Sequence, residues 1–101
     1  MYLIQILLPL YNNEGVAIPA NPHQRVREDL LRRFGGFTAF SRAPAEGQWE
    51  ADGKTARDDI VVLEVMATEL DRPWWSDFRS YLERTFQQEA IVIRAQKVEL
   101  L

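Results

Sequence analysis

The sequence predicts an α+β fold with the element order β-α-β-β-α-β, and three observations carry that expectation. The stretch from Asp58 to Ala67 (DDIVVLEVMA) is apolar on both alternating faces, with one interior carboxylate, Glu64. A strand with one face in water alternates apolar and polar residues, so both faces of this one call for a covering. Residues 21–36 and 71–89 carry apolar side chains at helical spacing. Residues 2–10 and 90–98 are further strand-like runs near the two ends.

Strand one, residues 2–10, places Ile4, Ile6 and Leu8 on one face and Leu3, Gln5 and Leu7 on the other. Pro9 cannot donate to a ladder, so the strand ends there or lies at an edge locally. Tyr11 to Ala20 holds the turn formers Asn12, Asn13 and Gly15 and reads as a loop. Asn21-Pro22 predicts a helix start with Asn21 as N-cap and Gln24 completing a capping box. Val26, Leu30 and Phe34 give that helix one apolar stripe, and Gly35-Gly36 predicts a left-handed cap. Strand two is Phe37 to Arg42, with a bulge or break expected around Pro44. Asp52-Gly53 predicts a tight turn, and Lys54 onward returns as strand three, making a long hairpin. Asp71 is the expected cap of the second helix, whose stripe is Trp75, Phe78, Leu82 and Phe86, flanked by Trp74 and Tyr81. Ala90 to Val98 is strand four.

Two right-handed split crossovers then put both helices on one face of a four-stranded antiparallel sheet of order 4-1-3-2. This is a ferredoxin-like sandwich. A length of 101 residues fits one domain, residues 1–101. The face on which strand two carries Phe40 is left open, because a bulge would reverse the alternation.

Composition narrows the function classes. The net charge of −3 argues against nonspecific nucleic-acid binding, which needs a basic surface. With no cysteine and only His23, thiolate sites and paired-histidine metal motifs are excluded, so no metal and no cofactor are expected. The apolar start lacks the basic flank of a signal peptide and is too short to span a bilayer, so a cytoplasmic protein without membrane association is the expectation.

Gly36-Phe37-Thr38, Gly47-Gln48-Trp49, Gly53, Arg57-Asp58 and Tyr81 followed by Phe86-Gln87-Gln88-Glu89 occur in that order. In these residues the chain resembles an uncharacterised family of small bacterial proteins with a ferredoxin-like fold. The resemblance spans most of Gly36 to Arg94 and implies the fold without an activity. More distantly, the chain is similar to dimeric α+β barrel proteins. These pair through their sheets, and some bind small molecules or act as cofactor-free oxygenases.

With Ile4, Ile6, Leu8, Val61, Leu63, Val65, Ile91 and Ile93 under the helices, the opposite face carries Leu3, Leu7, Ile60, Val62, Met66 and Val92. These are the candidate interface residues of a homodimer. Gln5, Glu64 and Arg94 fall on adjacent strands and predict a polar track across that apolar surface. Two readings stay open: a charge pair at a subunit interface, or groups that orient a small-molecule ligand in a pocket, with Arg42 and Trp49 at its rim. No aromatic occupies the central open-face positions where RNA-recognition domains stack bases. His23 reads either as a solvated first-turn residue or as a general base, and no Asp or Ser partner is evident for the second role. Asp58 and Asp59 point oppositely on a strand and chelate poorly.

Overall fold

Two strands that are apolar on both faces lie side by side at the middle of the sheet. In the computed structural model, which describes residues 1–41, 50–51, 54–55 and 60–101, β1 (Tyr2–Pro9) pairs antiparallel with β5 (Ile60–Ala67). Between them run α1 (Ala20–Phe34), β2 (Thr38–Ser41), β3 (Glu50–Ala51) and β4 (Lys54–Thr55). After β5 come α2 (Arg72–Thr85) and β6 (Val92–Lys97). The four-stranded sheet has the order β2-β5-β1-β6. Counted from the other edge, this is the expected 4-1-3-2, with β5 as strand three and β6 as strand four. The architecture is α+β and ferredoxin-like.

The helices bury one face of this sheet. Ile4, Ile6 and Leu8 of β1 and Val61, Leu63 and Val65 of β5 share one core with Val26 and Leu30 of α1 and Trp75, Phe78 and Leu82 of α2. Period-two alternation in the strands meets period-3.6 stripes in the helices, and both place large apolar groups at one interface. The aromatic residues lock the two helices together. Phe34 of α1 stacks on Trp75 of α2 at 5.4 Å and meets Trp74 edge-on at 5.7 Å. The Arg33 guanidinium lies 4.1 Å from the Trp74 ring centre and 3.1 Å from the Asp71 carboxylate, joining the end of α1 to the start of α2.

The helix signals are partly as expected. Asp71 caps α2, accepting from the Trp74 N–H at 3.1 Å. Gly35 ends α1 at φ 76°, a left-handed conformation that glycine adopts without a Cβ penalty, and its N–H reaches the Leu31 carbonyl. Asn21, however, does not cap α1. The helix begins at Ala20 after an extended Pro19 and has no side-chain cap, so Pro22 occupies the first turn, where its missing N–H costs nothing. Gln24 accordingly makes no capping box; its amide donates to Glu28 one turn on.

Strand ends also differ from expectation. β1 stops at Pro9, β2 covers only Thr38–Ser41, and β5 starts at Ile60. β6 starts at Val92, because the Ile91 N–H turns to the Glu83 carboxylate at 3.3 Å instead of entering the ladder. Of the long hairpin, β3 and β4 pair as a separate two-stranded sheet, Glu50 opposite Thr55 and Ala51 opposite Lys54. The Asp52-Gly53 turn, the Pro44 break, Asp58 and Asp59 lie outside the described residues. The loop after β1 is a small structured turn. The Asn12 side chain accepts from the N–H groups of Glu14 and Val16, both at 2.9 Å.

Leu30 and Leu82 are fully buried on opposite helices of this core. Leu30→Ala and Leu82→Ala should each destabilise the fold by about 2–5 kcal/mol. Urea titration followed by tryptophan fluorescence measures this, and midpoints unmoved in both variants would contradict the packing.

Candidate functional site

The sheet face away from the helices carries the candidate site, and strand register builds it. Gln5 lies opposite Glu64 on β5 and opposite Arg94 on β6. Period-two alternation therefore brings all three side chains to one face, in a row across three strands. The Gln5 amide joins them. Its Nε2 donates to Glu64 Oε1 at 2.6 Å, and its Oε1 accepts from Arg94 Nε at 2.6 Å. The expected polar track is therefore a hydrogen-bonded chain in which the amide, both donor and acceptor, separates the two charges. Arg94 and Glu64 form no direct ion pair.

Apolar side chains surround this chain. By register, Leu3, Met66 and Gln96 lie on one side of it, and Leu7, Val62 and Val92 on the other. Met66 is 51% exposed and Val92 52% exposed, whereas Leu3, Leu7 and Ile60 are half-buried. Val62 departs from the expectation of an open position: it is only 4% exposed. Its register neighbours on this face are Leu7 and Phe40. This pairing also settles the face of Phe40. It shares the open face with Val62 and is 46% exposed, adding an aromatic contact that the sequence left undecided. A recess of about 380 Å³ beside the polar chain is lined by Leu3, Gln5, Arg94, Ala95 and Gln96. Arg42 and Trp49, expected at the rim, lie outside the described residues. Among the described residues, no three His, Asp or Glu side chains converge as metal ligands. No helix among them is long and apolar enough to cross a membrane.

His23 belongs to the other face, and it is not a solvated first-turn residue. Its ring packs edge-on against Phe86 at 4.9 Å, and its Nε2 is buried without a hydrogen-bond partner among the described residues. Its spacing from Val26 and Leu30 continues the α1 stripe, the signal by which the sequence marks it as inward-facing. Burial pushes its pKa below 6.5, and the Arg27 charge adds to this; the Pro9 carbonyl opposes both.

No family model and no curated protein matches the chain. Among solved structures, it is similar to a phage SAM lyase in complex with S-methyl-5'-thioadenosine, with a TM-score of 0.60 and 14% identity. That match covers 95% of this chain and 80% of the lyase chain. The apo state of a phage SAM lyase matches with a TM-score of 0.54 at 14% identity, over 94% of this chain and 78% of the other. At this identity, the likeness is one of fold.

Two measurements follow. Gln5→Met removes the bridging amide and leaves Glu64 and Arg94 without their shared partner; a cost of about 1 kcal/mol in urea unfolding is expected for this half-exposed network. The second concerns acid. A histidine whose folded pKa is lowered contributes stability that is present above its unfolded value of 6.5 and is lost as pH falls through that value towards the folded one. The urea midpoint should therefore fall between about pH 7.5 and about pH 5.5, and the fall should be smaller in His23→Gln. An equal fall in both proteins would contradict a buried neutral His23.

Proposed function

We propose that the protein is a non-enzymatic association module that forms a homodimer through its open sheet face. The observation that carries this reading is the exposure of Phe40, Met66 and Val92 on the face not covered by helices. Several large apolar side chains exposed on one uncovered sheet face are the kind of surface that a partner covers. A second copy suits it in charge as well as in polarity. Glu64 and Arg94 are opposite charges at the two ends of one hydrogen-bonded row, and a two-fold axis can bring each end against its counterpart. The half-buried Leu3, Leu7 and Ile60 complete the apolar surround, over Val62, which is already buried within the chain. Membership of the small bacterial family resembled in the sequence belongs to this reading. So does a cytoplasmic location, which a cysteine-free chain tolerates without loss.

A second reading has its own support. Gln5 and Arg94 of the network border a recess, with Glu64 bonded to Gln5 behind them, and a structure of similar fold is in complex with S-methyl-5'-thioadenosine. On this reading the face is the pocket of a small-molecule-binding protein or a cofactor-free enzyme of the dimeric α+β barrel type, with Arg42 and Trp49 at the rim.

Light scattering over micromolar to submillimolar concentrations tests the association. Val92→Lys is the useful variant, because Val92 is exposed within one chain, whereas Val62→Lys would bury an ammonium and unfold the protein. A wild type of twice the chain mass and a Val92→Lys variant of one chain mass are expected; a monomeric wild type overturns the reading. Calorimetric titration with S-methyl-5'-thioadenosine tests the second reading, with Glu64→Gln expected to weaken any binding by about tenfold.

A further inference from the structure

A different part of the molecule holds a groove of about 450 Å³ between the first half of α2 and β6, the free edge of the sheet. This volume falls within the range of small-molecule pockets. Four cations line it, and three of them are outside the polar row. Arg72 and Arg79 come from α2, spaced with Ser76 at i, i+4 and i+7 so that all three share one helix face. Lys97 comes from the opposite wall. It lies opposite Tyr2 on the helix side of the sheet, and its ammonium is 5.8 Å from that ring centre. Trp75 and Ile93 supply apolar wall. Arg94 also borders the groove, but its Nε is committed to Gln5 on the other face.

Among the described residues no carboxylate lines the groove, although the chain as a whole carries a charge of −3. Nor do Arg72, Arg79 and Lys97 enter an ion pair among the described residues, where the pairs are Arg32 with Asp29 and Arg33 with Asp71. Arg72 is moreover the first residue of α2, at the positive end of the helix dipole, where a cation is disfavoured and an acid is the ordinary choice. Helix stability does not explain this placement. An anion in the groove would, since the helix terminus and the guanidinium would then act on it together.

We propose that this groove binds a phosphate-bearing small molecule, its oxyanion held by Arg72, Arg79 and Lys97 and its apolar part resting on Trp75 and Ile93. Three cations and the Ser76 hydroxyl exceed what a single carboxylate can use, and they match the charge and several acceptor oxygens of a phosphate. A walled recess suits a compact ligand better than an acidic peptide laid along the β6 edge. The site lies across the sheet from the association surface, so each can fail without the other.

The test is isothermal titration of the full chain with AMP and with inorganic phosphate, against citrate and chloride at matched ionic strength. Saturable binding of AMP or phosphate, without matching binding of citrate, is expected. Removing two guanidinium groups in R72Q/R79Q should weaken binding by about a hundredfold, and K97Q should weaken it by about tenfold. R32Q, which removes an exposed cation elsewhere, should bind as the wild type does. In chloride alone, R72Q should melt no lower than the wild type, because it removes a cation from the positive helix end. Circular dichroism verifies the fold of each variant. The proposal is overturned by no saturable heat with either phosphate probe at about 10 mM. It is also overturned by binding that survives in both R72Q/R79Q and K97Q, or by citrate binding as tightly as phosphate.

Discussion

The sheet has two apolar faces at its centre and helices for only one of them. That imbalance shapes the whole molecule. β1 and β5 pair along eight residues each and present apolar side chains both ways. On the helix side the demand is met in full: Ile4, Ile6, Leu8, Val61, Leu63 and Val65 are all buried. On the other side, Val62 is shielded within the chain while Met66, Val92 and Phe40 remain in contact with solvent. Hydrophobic burial is roughly proportional to area removed from water, so the uncovered face is free energy the single chain does not collect.

The polar row across that face is informative because of how it is satisfied. Charges in apolar surroundings are costly when unpaired, and a direct ion pair is the usual remedy. Here the spacing of the strands puts Gln5 between the charges, so an amide bridges them, each of its ends bonded to one charge at 2.6 Å. This arrangement gives each end of the Gln5 amide one partner and leaves the outer atoms of Glu64 and Arg94 for a further one. A second copy and a small ligand are both able to use them, which is why the same three residues serve both functional readings.

Much of this was legible in the sequence because it rests on periodicity. Alternation placed Gln5, Glu64 and Arg94 together, since one-face membership follows from counting by two once the strand order is known. Asp71 was legible as a cap because an acid two residues before a proline at a helix start has few other uses. Asn21 was misleading because a proline is tolerated throughout the first helical turn, so the Asn-Pro pair marks the turn without fixing which residue precedes it. Phe40 was undecided because a short edge strand beside a proline has no internal alternation to anchor its register; only its pairing with Val62 settles the face. His23 is polar at a position whose spacing from Val26 and Leu30 is that of the inward stripe, and the spacing prevails over the polarity. The cations of α2 carry no signal in the sequence, because exposed arginines on a helix are ordinary and only tertiary structure sets Lys97 across from them.

β6 links the two surfaces. Consecutive residues of a strand point to opposite faces, so Arg94 serves the polar row while Lys97 lies on the helix side beside Tyr2. Among the described residues the strand is paired on one side only, by β1. An edge strand with cations on both faces resists pairing with another sheet, because charged side chains and an uncovered ladder are a poor template for edge-to-edge addition. Association by extending the sheet is thus disfavoured at this edge, whereas association by stacking one open face on another leaves the edge and its groove untouched. The charge distribution of this six-residue strand is thus compatible with both the proposed face-to-face dimer and the proposed anion groove beside it.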